Sequence, residues 1–384
     1  MTLPPLSLYI HVPWCVRKCP YCDFNSHAVT GILDEKGYVD ALLADLEIEA
    51  PLIGDRTLMS IFIGGGTPSL LSPTVIGRLL REVRSRLPWS GEIEISMEAN
   101  PGAVESMRFA ALREAGVNRL SIGVQSFHAE SLRALGRIHG PDEAVRAVEL
   151  ARCGGFERIN LDLMFGLPVQ TEALALADVR TAVDLNAEHL SYYQLTLEPN
   201  TLFYEEPPTL PGEERLWDIQ QSGQRLLQQA GYEQYEVSAF SQAGRQCRHN
   251  LNYWRFGDYI GIGAGAHGKL SGLDGSIQRR WKKRHPKAYL SGAFSATPLQ
   301  GSRLLTPEDR IVEFMMNALR LRDGVESELF QATTGLELQA AAQMIDEARK
   351  RGLLREEPSR ICATPLGFKF LSDLLEIFAV EKHH

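Results

Sequence analysis

Glu92-Ile93-Glu94-Ile95-Ser96-Met97-Glu98 alternates strictly between polar and apolar residues. That is the period of a strand with one face in a core and the other against something polar. Two further segments repeat the pattern. In Asn118–Gln125, Leu120, Ile122 and Val124 oppose Arg119, Ser121, Gly123 and Gln125; in Arg158–Met164, Asn160 and Asp162 oppose Ile159, Leu161 and Leu163. Strands covered on both faces in an ordinary parallel sheet read as continuous apolar runs. The polar faces therefore point to the wet interior of an open barrel.

Working outward, short β-like segments alternate with helix-like ones from residue 6 to about 237. Leu6–His11, Ser60–Gly64 and Leu190–Thr196 complete a set of six strands, while Tyr38–Ala50, Pro73–Leu87, Val104–Ala115, Pro141–Cys153, Glu172–Leu185 and Glu213–Ala230 carry helical spacing. Repeated βα units predict an α/β fold, a partial (β/α)6 TIM-like barrel over residues 1–240. Active sites of such barrels lie at the C-terminal strand ends, where Glu98 and Gln125 fall. Residues 241–300 have little periodicity and read as a loop-rich connection. Residues 301–384 read as a small C-terminal winged-helix-like α+β domain: Thr306 caps a helix with Pro307 at its first position, a second helix covers Glu337–Arg351, and a short hairpin over Leu353–Ala363 precedes a helix capped by Thr364-Pro365.

A net charge of −8 over 384 residues argues against a general nucleic-acid binder, which needs a basic footprint to displace counterions. The N-terminus lacks a charged, apolar and cleavable leader, and no apolar run reaches the roughly 18 residues of a transmembrane segment. A cytoplasmic location is expected. Of six cysteines, Cys153, Cys247 and Cys362 stand far apart and read as buried thiols, while three crowd into eight residues.

Those three form Cys15-Val-Arg-Lys-Cys19-Pro-Tyr-Cys22. Soft thiolates at C-x3-C-x2-C spacing can wrap three corners of a four-iron cubane, leaving one iron open to the amino and carboxylate groups of S-adenosylmethionine. A zinc site with His27 or His11 as fourth ligand is the alternative, although zinc knuckles favour paired Cys units separated by a longer loop. Gly64-Gly65-Gly66 follows a strand and permits close backbone approach, or simply a tight strand-to-helix turn. Glu98, Gln125 and Asp162 on the polar faces need a polar ligand, water, or an interior salt bridge to Arg119 or Arg137. Gly263-Ala-Gly265-Ala-His-Gly268 fits GxGxxG but precedes no helix, so a dinucleotide site is rejected. Arg279-Arg-Trp-Lys-Lys-Arg-His285 is a solvated basic run, or a site for porphyrin propionates, a partner or nucleic acid.

Together with Leu8-Tyr-Ile-His-Val-Pro-Trp-Cys15, Gly64-Gly-Gly-Thr-Pro68, Glu98-Ala-Asn-Pro101, Gly123-Val-Gln-Ser-Phe127 and Asp162-Leu-Met-Phe-Gly-Leu-Pro168, the cysteine segment resembles the radical SAM superfamily and, within it, the oxygen-independent coproporphyrinogen III oxidase family. The likeness spans about residues 6–370. It implies a [4Fe-4S] cluster on Cys15, Cys19 and Cys22, S-adenosylmethionine, an electron donor, and cofactor contacts at Tyr9, Tyr21, Gly65, Gly66, Thr67, Glu98, Gln125, Arg137 and Asp162. The oxidase pattern places a fourth cysteine two residues past Cys22, where this chain has Phe24, which argues against oxidation of coproporphyrinogen III. His249-Asn250-Leu-Asn-Tyr253-Trp254 is similar to the H-N-x-x-Y-W segment of a heme-chaperone branch, whose histidine is a candidate heme ligand. A hydrogen-bonded structural histidine is the other reading. The resemblance thus implies a protein that binds heme and delivers it to apoproteins such as respiratory enzymes.

Overall fold

The computed structural model describes residues 3–102, 106–295 and 297–379. Six strands, β1 (Leu6–Val12), β2 (Leu58–Gly65), β3 (Trp89–Ala99), β4 (Arg119–Gln125), β5 (Ile159–Phe165) and β6 (His189–Gln194), lie side by side in chain order, each parallel to the next. Between them run α1 (Glu35–Glu49), α2 (Pro73–Arg86), α3 (Ser106–Glu114), α4 (Pro141–Cys153) and α5 (Glu172–Asp184), and α6 (Glu213–Gln229) follows β6. Val104 and Glu105, expected at the start of α3, lie outside the described residues. Local chemistry sets the helix starts. The Asp34 carboxylate accepts from the Gly37 N–H, the Thr171 hydroxyl accepts from the Leu174 N–H, and α2 and α4 begin with proline.

The strand alternation sorts the two faces. Leu8, Ile10, Ile61, Ile63, Ile95, Met97, Leu120, Ile122, Leu161 and Leu163 are buried against the helices, packed with Leu42, Leu46, Leu79, Val83, Val148 and Val179. The opposite face turns inward. Its register runs Ser7 beside Ser60 beside Glu94, then Glu98 beside Ser121 beside Asn160 beside His189. Burying such groups is costly unless they bond one another. Ser7 Oγ lies 2.8 Å from Ser60 Oγ, Asn160 Nδ2 donates to Ser121 Oγ (2.7 Å) and Asp162 Oδ1 (2.8 Å), and His189 Nδ1 lies 2.6 Å from Asn160 Oδ1.

Residues 241–300 are not the loop-rich connection that the sequence suggests. They contain α7 (Arg248–Trp254), α8 (Pro286–Ser295) and four strands that follow β7 (Glu233–Glu236) and β8 (Ala239–Ser241): β9 (Asp258–Ile262), β10 (His267–Ser271), β11 (Ile277–Lys282) and β12 (Leu299–Leu304). The sheet order is β12-β11-β10-β9-β1-β2-β3-β4-β5-β6-β8-β7, with β9 parallel to β1. Glycines imposed by tight backbone contact disguise these strands. A Cβ on Gly261 would lie 2.0 Å from the His267 carbonyl oxygen, and Gly263, at φ +106°, passes against the His11 backbone. The glycine-rich segment thus packs on the end of β1.

The basic run is a strand, β11, and much of its charge is spent inside the molecule. Lys282 contacts Asp45 and, at 2.6 Å, Glu49; Arg280 pairs with Glu49 at 3.0 Å and Arg279 with Glu313 at 2.5 Å. A second core gathers Phe314 of α9 (Pro307–Ala318), Phe330 of α10 (Ser327–Thr334), Ile345 of α11 (Ala342–Lys350) and Leu374. Thr306 caps α9 reciprocally with Asp309, both contacts at 3.2 Å. The expected helix over Glu337–Arg351 begins as a separate 3-10 turn, Leu338–Ala341. Cys247 and Cys362 are buried, but Cys153, also expected to be buried, is exposed at the solvent-facing end of α4. Among the described residues no helix is long and apolar enough to cross a membrane.

Candidate functional site

β1 delivers the cysteine loop to the C-terminal edge of the sheet. The Cys22 N–H donates to the Cys19 carbonyl (3.1 Å), closing a turn, and the loop is clasped where Trp14–Cys15 pairs with His27–Ala28. Next to it stands the glycine loop at the end of β2. The Gly66 N–H donates to the Val12 carbonyl (2.8 Å) and the Thr67 N–H to the Trp14 carbonyl (2.6 Å). A Cβ on Gly66 would lie 2.4 Å from the Trp14 carbonyl oxygen, and Gly65 sits at φ +117°. The tight-turn reading of the glycines holds: the backbone this turn approaches closely is that of Trp14 in the cysteine loop, and the ligand approach expected of them belongs to the proposed function.

These loops open on a cavity of about 580 Å³ lined by Cys15, Cys19, Cys22, Tyr21, Gly65, Gly66, Thr67, Glu98, Gln125, Arg137 and Asp162. All of the expected site residues except Tyr9 and His249 meet here. Glu98 Oε2 accepts the Gly65 N–H at 2.9 Å, while burial and the nearby Asp162 charge push its carboxyl from near 4.5 up to about 8. Burial also raises Asp162, against the hydroxyl and amide bonds it accepts. Gln125 holds φ at +70°, a strained backbone for a residue with a Cβ, and its Oε1 accepts from the Tyr193 hydroxyl at 2.7 Å. The interior salt bridge weighed for Glu98 and Asp162 is absent among the described residues: Arg137 Nη2 donates instead to Asn100 Oδ1 and the Gly123 carbonyl, both at 2.7 Å.

Whether these residues suit a thiolate-held cluster and an amino-acid ligand can be judged from their partners. Arg137 Nη1 reaches Cys19 Sγ at 3.7 Å, a cation beside a sulfur that must carry negative charge, and the buried Arg137 Nε has no partner. Burial raises the Cys15 and Cys22 thiols, so metal must supply the drive to deprotonate them. The set fits a cluster. It suits a single zinc less well: both His11 ring nitrogens are occupied, by Tyr9 Oη (2.9 Å) and the Asn25 carbonyl (2.9 Å), and His27 does not line the cavity.

Tyr9 lines a second cavity, of about 610 Å³, which shares Asp23, Phe24, Gly65 and Glu98 with the first. His249 lines neither. Its ring is 2% exposed, stacked on Phe62 with centroids 5.1 Å apart, and hydrogen-bonded through Nδ1 to Ser60 Oγ (3.0 Å) and through Nε2 to Tyr253 Oη (3.1 Å). Burial and Arg119 lower it to about 3, so the ring is neutral. Asn100 and Tyr193 are cavity residues that sequence reading missed. Asn100 bridges Thr67 and Arg137, and its signal was its place two residues beyond Glu98 on the same face.

The profile described as Radical SAM superfamily matches residues 9–180, and that described as HemN C-terminal domain matches residues 305–370. Among solved structures, coproporphyrinogen III oxidase (HemN) from Escherichia coli, a radical SAM enzyme, superposes with a TM-score of 0.83 at 24% identity, over 98% of this chain and 90% of that one, a likeness of fold. Among curated proteins, heme chaperone HemW of Escherichia coli (strain K12) is 53% identical over 379 residues, 99% of each chain. That of Bacillus subtilis (strain 168) is 36% identical over 94% of this chain and 96% of its own. With identity at that level over nearly its full length, the chain belongs to the HemW family of radical SAM proteins.

Proposed function

We propose that this protein binds heme and hands it to apoproteins, respiratory enzymes among them, in the cytoplasm. The observation that carries this reading is Phe24. In a chain 53% identical to a heme chaperone, an apolar ring left 56% exposed stands where the oxidase pattern has a sulfur, on the wall shared by both cavities. In this reading Cys15, Cys19 and Cys22 ligate the [4Fe-4S] cluster. Tyr9, Tyr21, Gly65, Gly66, Thr67, Glu98, Gln125, Arg137 and Asp162 hold S-adenosylmethionine, and His249 belongs to the heme site with Tyr253 and Trp254. When bound, the cluster and S-adenosylmethionine supply one-electron chemistry, fed by an external electron donor.

The chain's own contribution is positioning. Asn100 and the Gly123 carbonyl fix the Arg137 guanidinium beside Cys19, and the Gly65 N–H fixes a carboxyl at Glu98 that keeps its proton near neutrality and so donates as well as accepts. Anaerobically reconstituted protein is expected to take up heme, transfer it to an apo-cytochrome, and leave coproporphyrinogen III unchanged. Conversion of that porphyrinogen would overturn the reading in favour of an oxidase. Cys19→Ser is expected to abolish the brown charge-transfer absorption of the cluster while leaving the far-UV circular dichroism intact.

A further inference from the structure

The second cavity has what a flat, anionic metal macrocycle requires, and its far wall, His267, Arg284 and Tyr259, has no role assigned so far. Its volume, about 610 Å³, lies within the ordinary range of sites for small molecules and cofactors. Phe24, Tyr253 and Tyr259 supply aromatic surface, the two tyrosine rings meeting edge to face at 4.4 Å. Arg279 contacts the Tyr259 hydroxyl and holds that ring while itself paired with Glu313. At the same wall stand His267, the first residue of β10, and Arg284, both exposed.

His11 and His267 line this space, His249 stands just outside it, and His27 is packed against His285 without lining it; hydrogen bonds separate the first three. His11 has both nitrogens engaged, by Tyr9 and the Asn25 carbonyl. His249 is likewise engaged, by Ser60 and Tyr253, and stands outside the cavity behind Tyr253. Among the described residues, neither ring nitrogen of His267 has a hydrogen-bond partner, and the Arg284 guanidinium has no ion-pair partner. The Arg284 backbone is anchored, its carbonyl accepting from Asn25 Nδ2 at 2.9 Å, which ties this wall to the loop that follows the cysteines.

Resting on the heme-carrier reading above, we propose that the second cavity is the heme site, with His267 as an axial iron ligand and Arg284 as the partner of a propionate. Phe24, Tyr253 and Tyr259 cover the macrocycle, and His249 is a positioning residue that holds Tyr253 through its Nε2 contact. The bond that forms is a dative one from an imidazole lone pair to iron, displacing water or a weak ligand, with no change of oxidation state.

The test is a titration of hemin into cluster-loaded wild-type, His267→Ala, Arg284→Ala and His249→Ala proteins, read by Soret position, electron paramagnetic resonance of the ferric heme, and Kd. His267→Ala is expected to shift the Soret band, weaken binding by roughly tenfold or more, and regain the ligand-field signature on adding free imidazole. Arg284→Ala should weaken binding a few-fold with the spectrum unchanged, and His249→Ala should keep the histidine-ligated signature. Cluster absorption and melting temperature of His267→Ala should match wild type, since the side chain is exposed. An unaltered spectrum and Kd in His267→Ala would overturn the proposal, as would loss of the iron-ligand signature in His249→Ala alone. Phe24→Ala, expected to weaken heme binding without moving the Soret band, is the independent check on the cavity; unchanged Kd there also counts against it. Wild-type protein that takes up no heme would instead sink the carrier reading itself.

Discussion

Glu98 is the residue whose protonation reaches furthest. Its carboxyl titrates near 8 in the folded chain and near 4.5 when unperturbed, so between those values the folded state holds the extra proton. Stability conferred by that proton is therefore lost as pH rises from about 4.5 to about 8 and is constant beyond. Denaturant melts of the apoprotein should show Glu98→Gln flattening this slope, by about 1–2 kcal/mol once the solvent reaching a half-buried group is allowed for. His249→Ala should cost about 2–3 kcal/mol, through the hydrogen bonds to Ser60 and Tyr253 and the packing on Phe62, measured the same way. The sequence displayed Glu98, Gln125 and Asp162 because each falls on the polar half of a strand alternation whose other half is plainly apolar. It could not display that both His249 nitrogens are taken, because Ser60 lies 189 residues away in the chain. Tyr193 was hidden for the same reason: its partner, Gln125, is 68 residues distant.

Elements are fixed here by backbone contact as much as by side-chain pattern. The glycine loop and the cysteine loop share two hydrogen bonds at a separation that leaves no room for a Cβ at position 66. Gly66→Ala is thus expected to push the loops apart, costing about 1–3 kcal/mol in a thermal or denaturant melt and lowering S-adenosylmethionine affinity in equilibrium dialysis. Periodicity located the six parallel strands and their helices within a few residues, since each carries a clean face. It failed for β9 to β12 because there the faces are broken by glycines packed against β1 and by cations whose counter-charges come from α1 and α9. A basic run and a buried strand look alike until Asp45, Glu49 and Glu313 are placed beside it.

At the scale of the whole molecule, buried ion pairs stitch the added strands to the six parallel βα units. Lys282, 1% exposed, joins Asp45 and Glu49 of α1, with Tyr289 of α8 donating to Asp45 Oδ2 at 2.8 Å; Lys269 and Arg56 converge on Asp258, each at 2.9 Å. Lys282→Met should cost about 3–5 kcal/mol, because it strands Asp45 in a dry interior and leaves Glu49 with Arg280 alone; a double variant that also replaces Asp45 by Leu should recover much of that. Denaturation monitored by tryptophan fluorescence checks both.

Gly65 and Glu98 are walls common to the two cavities. With S-adenosylmethionine in one and heme in the other, as proposed above, a ligand that shifts either wall would alter the room and the charge its neighbour finds, which would couple the two occupants. Whatever factor S-adenosylmethionine imposes on heme affinity, heme must impose on S-adenosylmethionine in return. On the proposed assignment of the two cavities, binding of S-adenosylmethionine in one would be felt by heme in the other, and release of heme to an acceptor would become a step that the cofactor can license.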